Sequence, residues 1–177
     1  MISMRYAGVR SNDTVDCLDG VCVSFWLQGC PHRCEGCHNP ETWDVLGGYE
    51  LPSDYIDKIL VLLRKNGIHR DLSILGGEPM IDGNLDIILP LLKRVKSVYP
   101  DTKIYLWSGY TYETLIKRSK AFHAISLADV LIDGRFDLSR RDITLPLRGS
   151  PNQRVIDIHA TLSSGGVVLW SRVYKNT

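Results

Sequence analysis

Apolar positions along the chain recur at two spacings. Residues 21–27 form an apolar run, interrupted only by Ser24 and rich in β-branched and aromatic side chains, the pattern of a buried strand. Within 52–65, Ile56, Ile59, Leu60 and Leu63 recur at helical spacing, with Ser53 and Asp54 suited to the start and Asn66-Gly67 to the end. A short strand at 72–75 runs into Gly76-Gly77-Glu78-Pro79. Residues 85–98 predict a second helix, which Pro90 either kinks or begins. A third strand at 103–107 closes on Ser108-Gly109, and 112–120 predicts a modest helix. A fourth strand at 129–132 ends in Asp133-Gly134, and 154–158 and 167–170 complete the strands. Residues 4–20 are mixed, broken by turn signals at Asn12-Asp13 and Asp19-Gly20.

Strands that alternate with helices imply an α/β fold with a mostly parallel sheet and right-handed crossovers. About six strands are countable, against eight in a full barrel of roughly 250 residues. The expectation is therefore one domain, residues 1–177, folded as an open or partial (β/α)6 barrel. In such sheets ligands gather at the carboxyl ends of the strands. Cys30, Gly76-Gly77-Glu78, Ser108, Asp133 and Arg135 all fall at such ends, which points to one shared site. The connection 135–153 is polar, arginine-rich and too long for a routine turn, which suggests a functional loop.

Composition narrows the class without choosing the chemistry. The 177 residues carry 44% hydrophobic and 23% charged side chains, ordinary values for a soluble globular chain. A net charge of +1 gives no bulk electrostatic reason to expect nucleic acid or a membrane surface as partner. The start, Met1-Ile2-Ser3-Met4-Arg5-Tyr6, has no apolar core of signal-peptide length, and no apolar run approaches the ~20 residues that span a bilayer. The expected setting is the cytoplasm, where clustered cysteines mean metal or catalysis more than disulfides.

Directly after the first apolar run stand Cys30, Cys34 and Cys37, in C-x3-C-x2-C spacing. Three thiolates this close can converge on one small object. Two objects fit: a zinc ion whose fourth ligand is His32 or His38, or a cubic iron–sulfur cluster that keeps one iron open. Cys17 and Cys22 lie before the motif and read as small core residues, with a fourth-ligand role as the alternative. His69, His123 and His159 show no partner spacing.

The string Cys-Pro-His-Arg-Cys-Glu-Gly-Cys-His-Asn-Pro-Glu-Thr-Trp, residues 30–43, resembles that of the radical S-adenosylmethionine superfamily. Within it the string is most similar to the activating enzymes of anaerobic (class III) ribonucleoside-triphosphate reductases. The resemblance runs from about residue 5 to 158 and implies the partial barrel as well. It implies a [4Fe–4S] cluster on Cys30, Cys34 and Cys37, with S-adenosyl-L-methionine chelating the open iron. It further implies hydrogen abstraction from a glycine of the reductase, and an electron donor such as flavodoxin. Gly36 precedes the third cysteine, where many members of the superfamily carry an aromatic residue and where glycine fits the activases. Gly76, Gly77 and Glu78 match the family's segment for the methionine amino group, and Ser108 falls where its ribose and carboxylate contacts come. For Asp133, ribose hydroxyls, a cation, a helix cap and a salt bridge are open roles. Arg148 and Arg154 would hold the methionine carboxylate or an incoming loop of the partner, and Trp43 and Tyr49 would shield the cluster. The alternatives within the superfamily are a pyruvate formate-lyase-type activase and an enzyme for a small-molecule substrate. Outside it the alternative is a zinc-stabilised binding module.

Overall fold

The computed structural model describes residues 4–174, so Met1 to Ser3, read above for a leader, lie outside it. Its strands are β1 (Arg5–Asp13), β2 (Cys22–Leu27), β3 (Tyr49–Glu50), β4 (Asp71–Gly76), β5 (Ile104–Ser108), β6 (Val130–Asp133) and β7 (Arg154–Asp157). Its helices are α1 (Tyr55–Arg64), α2 (Asp82–Val98), α3 (Tyr112–Leu115), α4 (Ser119–Ser126), α5 (Ile158–Ser164) and α6 (Ser171–Tyr174).

All strands join one sheet in the order β3-β1-β2-β4-β5-β6-β7. The four central strands, β2, β4, β5 and β6, run parallel, while β1, β3 and β7 are antiparallel to their neighbours. Of the expected open or partial (β/α)6 barrel with a mostly parallel sheet, the structure has the open sheet and its parallel core but no barrel closure. The sheet is open, with β3 and β7 at its edges. It is also parallel only in its centre. The cause at the β7 edge is the connection 135–153, which holds a short 3₁₀ turn (Leu138–Arg140) and no α-helix. A parallel strand needs a crossover to the far end of the sheet. Without one, β7 starts where β6 stops, with Asp133 opposite Arg154, and runs back.

β1 was hidden in the mixed stretch 4–20. It is an edge-side strand, mostly half-exposed, and its pairing with β2 shifts register twice, after Tyr6 and after Arg10. Such irregularities blur the period of two on which strand recognition depends. The predicted helix at 112–120 is two helices, because Arg118 leaves helical geometry (φ −113°, ψ 113°). Its guanidinium donates instead to the Met80 carbonyl at 2.7 Å and to Asp82 at 2.6 Å. The predicted strand at 167–170 is a single bridge, Leu169 against Ile156. α5, unpredicted, is bounded by Asp157, which accepts from the Ala160 N–H, and by left-handed Gly165 (φ 75°).

Side-chain alternation sorts the sheet into two faces. Val23, Phe25, Leu27, Leu72, Ile74, Ile104, Leu106 and Leu131 pack with apolar residues of α1, α2 and α4 in the larger core. Cys22, Tyr105, Val130, Ile132 and Val155 point to the other face and meet Cys17 and Trp170. Both faces being covered explains why the central strands read as continuous apolar runs. Pro90 sits within α2 without ending it. Among the described residues, no helix is long and apolar enough to cross a membrane.

Candidate functional site

The loop that leaves β2 at Leu27 and returns at β3 carries all three motif cysteines. It is tied off by backbone and amide bonds. Gly29 N–H donates to the Thr42 carbonyl at 2.8 Å and Cys30 N–H to that of Trp43 at 3.1 Å. The buried Gln28 amide donates to the carbonyls of Glu41 (3.0 Å) and Asp44 (2.6 Å). Inside the tie, Cys37 N–H reaches the Cys34 carbonyl at 3.1 Å. Arg33 (φ 47°) and Gly36 (φ 69°) both turn left-handed. A left-handed arginine is an uncommon conformation for a side chain with a Cβ.

Each sulfur receives backbone N–H donors. His32 and Arg33 offer theirs to Cys30, Phe136 to Cys34, and Asn39 to Cys37 Sγ at 3.4 Å. Burial pushes the Cys30 and Cys34 thiols above their ordinary range, and these N–H groups pull the other way.

The Gly-Gly-Glu turn after β4 lies against the start of this loop. Gly77 N–H donates to the Leu27 carbonyl at 2.9 Å and Glu78 N–H to that of Gly29 at 2.7 Å. Both glycines are required by backbone proximity. A Cβ on Gly76 (φ 101°) would stand 2.7 Å from Leu27 N, and one on Gly77 would stand 2.4 Å from Gly29 O. Glu78 is 1% exposed and its carboxylate accepts four hydrogen bonds. They come from His32 Nε2 (2.8 Å), Ser108 Oγ (2.8 Å), Gly109 N–H (2.7 Å) and Met80 N–H (2.9 Å). Asn84 of α2 adds donors to the Gln28 and Glu78 carbonyls at 3.0 and 2.9 Å. Glu78 and Ser108, expected to face a ligand, are thus engaged with each other and with the cysteine loop.

Asp133 is 1% exposed and likewise engaged. It caps α3 through the Tyr112 N–H at 2.7 Å and pairs with the Arg154 guanidinium at 2.5 and 3.0 Å. The cap and the salt bridge, two of its open roles, are both filled. Arg154 also pairs with Glu113 at 2.8 Å, which holds that carboxyl down at about 2. Arg148 lies 4.5 Å over the Tyr174 ring, and its Nε and Nη1 are buried without a hydrogen-bond partner. Tyr49 is 66% exposed, its ring tilted against that of Tyr6, so it stands out into solvent; Trp43 is half-buried, with its indole N–H unpartnered. His69 and His159 pair with acidic residues at the surface, Asp101 and Asp129.

The connection 135–153 roofs the cysteine loop. The space that a side chain at Gly36 would fill is taken by Leu138, whose Cδ1 lies 2.7 Å from the position of such a Cβ. Beside it, Glu35, Arg135, Phe136, Asp137, Leu138 and Asn152 line a cavity of about 400 Å³. Sequence reasoning missed the roles of Phe136, Leu138 and Asn84, and gave His32 only as a zinc ligand. The one available signal was Asn84, a polar residue leading into the apolar face of α2.

The donor set suits a polynuclear group. Thiols supplied with N–H donors are what a cluster's sulfur ligands need. Among the described residues, no three His, Cys, Asp or Glu side chains converge as they would on a single metal ion. Of the two ring nitrogens of His32, the zinc alternative's candidate ligand, Nε2 is held by Glu78 and Nδ1 is buried without a partner. Cys17 and Cys22 are buried in the second core, and Cys22 begins the strand that Cys30 follows, which keeps both out of the loop.

Residues 19–156 match the family described as a 4Fe-4S single cluster domain. The chain is 39% identical over 135 residues to an anaerobic ribonucleoside-triphosphate reductase-activating protein of Vibrio cholerae, covering 76% of this chain and 86% of that one. It is 34% identical to the protein of that name from Pasteurella multocida, covering 85% and 95%. The protein of that name from Enterobacteria phage T4 is 33% identical, covering 77% and 83%.

Proposed function

The chain belongs to the family of anaerobic ribonucleoside-triphosphate reductase-activating proteins, with an iron–sulfur cofactor, and on that premise we propose that it is a radical S-adenosylmethionine activase. Its protein substrate is the anaerobic reductase, on which it generates a glycyl radical. Its setting is cytoplasmic and reducing, and its electrons come from a donor such as flavodoxin. When bound, a [4Fe–4S] cluster with one open iron supplies the electron that cleaves S-adenosyl-L-methionine, and hence the radical that takes hydrogen from a glycine.

The chain's own residues hold and orient that pair. Cys30, Cys34 and Cys37 ligate the cluster, and the N–H groups of His32, Arg33, Phe136 and Asn39 steady their sulfurs. The rigid turn at Gly76, Gly77 and Glu78 sets the distance between the cysteine loop and the ends of β4 and β5. The cavity lined by Glu35, Arg135 and Phe136 would take S-adenosylmethionine, with Arg135 as its lining cation. The observation that carries this assignment is the meeting of the three-cysteine loop and the Gly-Gly-Glu turn at the ends of parallel strands.

Electron spin resonance of the anaerobically reconstituted protein tests it. Mixed with its reductase, a strong reductant and S-adenosylmethionine, the protein should yield a glycyl doublet on the reductase. A protein that holds zinc, or that leaves S-adenosylmethionine intact under reduction, refutes the assignment.

A further inference from the structure

His32 stands between two of the motif cysteines and has no role in the family motif as described above. Its side chain is 3% exposed, and Nε2 lies 2.8 Å from Glu78 Oε2. A carboxylate oxygen only accepts, so Nε2 carries a hydrogen. Nδ1 is buried without a hydrogen-bond partner. The ring stacks edge-on to Tyr110 at 4.4 Å and covers Gly109, where a Cβ would stand 2.4 Å from the imidazole. Only a glycine at 109 leaves room for it.

The anchor is firm. Glu78 is fixed by Ser108 and Gly109 of the β5 end and by Met80 of its own turn. The side chain of His32 is therefore held by the sheet, while its backbone belongs to the loop. Its N–H and that of Arg33 draw the Cys30 thiol down against its burial, and Arg33 is the left-handed residue of that spacer. Reduction adds negative charge to a cluster and its thiolates. Donors aimed at a ligand sulfur stabilise that charge and raise the potential.

The geometry points to His32 as a positioning residue: clamped by Glu78, it keeps the N–H groups of residues 32 and 33 on the Cys30 sulfur and so sets the reduction potential of the iron–sulfur group held there. This deepens the proposed function and rests on its cluster. It gives Glu78 a structural post behind the cluster.

Two measurements test the clamp. In metal-free protein, proton–nitrogen correlation should find a hydrogen on His32 Nε2 bonded to Glu78, and the Arg33 amide should exchange at least tenfold faster in His32→Ala. A ring protonated at Nδ1 alone, or unchanged exchange, overturns the clamp. In reconstituted protein with matched iron content, redox titration followed by spin resonance should give more negative midpoints for His32→Ala and Glu78→Gln. The double variant should go no further, His32→Gln should return toward wild type because its amide can replace Nε2, and His69→Ala should not move. Midpoints that stay at the wild-type value overturn the tuning role, since a merely structural histidine would change cluster content alone. If wild type takes up no cluster, the proposed function and the tuning role both fall, while the metal-free measurement still decides the clamp.

Discussion

Gly77→Ala puts the close approach between the Gly-Gly-Glu turn and the cysteine loop under direct test. The added Cβ would lie 2.4 Å from the Gly29 carbonyl oxygen, 2.9 Å from its carbon and 3.0 Å from its nitrogen. Heavy atoms meet carbon comfortably at about 3.5 Å, so something must move by about 1 Å. Both partners are backbone, and neither can rotate away. Gly77 does not have a positive φ, so the penalty is steric and not conformational. Overpacking of this kind costs about 1–3 kcal/mol. Separating the segments also strains the Gly77-to-Leu27 and Glu78-to-Gly29 bonds, each worth about 0.5–1.5 kcal/mol. A total near 2–4 kcal/mol follows, and with a slope of about 2 kcal/mol per molar urea the unfolding midpoint should fall by about 1–2 M. The assay is urea unfolding of the metal-free protein, followed by iron loading. Gly83→Ala is the control: it sits in α2 with nothing within 4 Å of its Cβ, and should gain up to about 1 kcal/mol. If Gly77→Ala matches wild type, the contact is not close and the account of this turn is wrong.

Four further outcomes are expected. Arg154→Met strands the buried Asp133 carboxylate with one backbone donor and should cost about 2–3 kcal/mol by thermal unfolding, partly restored by adding Asp133→Asn; an unchanged melting temperature would remove the ion pair from the account. Burial and the neighbouring Asp13 raise the Asp16 carboxyl to about 6, so the folded state binds the extra proton and stability falls as pH rises from about 4 to 6; Asp16→Asn should abolish that slope and gain on the order of 1–3 kcal/mol at pH 7, and parallel pH profiles would contradict it. Cys17→Ala and Cys22→Ala should keep wild-type iron and sulfide while alanine at Cys30, Cys34 or Cys37 loses them; iron loss in Cys17→Ala would reassign the ligands. Deleting 141–147, the outer part of the connection where Ile143 is 79% exposed, should spare S-adenosylmethionine cleavage and abolish glycyl radical formation; loss of neither would end its role in docking the reductase.

The central strands and the first two helices were legible because each is a single apolar period, as in residues 21–27 and in Ile56, Ile59, Leu60 and Leu63. The edges were not. β1 has two register shifts that smear its alternation, and the direction of β7 depends on a connection whose lack of a helix shows only in three dimensions. The cysteine loop and the Gly-Gly-Glu turn could be placed at one end of the sheet because strand order alone brings them there. The partners that fix these side chains were beyond the same reasoning. Glu78, Ser108 and Asp133 sit at the expected strand ends, and they are held there by His32, Gly109, Tyr112 and Arg154, partners that no local pattern announces. Likewise, Leu138 reaches Gly36 across a hundred residues with no periodic signal to announce it.

The saturation of Glu78 bears on how such a chain can change over generations. Its acceptors are filled from three separate segments, and the imidazole among them demands a bare glycine beneath it. A lone replacement at 32, 78, 108 or 109 leaves a stranded polar atom or a collision for the others to absorb. These positions are therefore bound to drift as a set, and a lineage that abandons one should be found to have rewritten its companions.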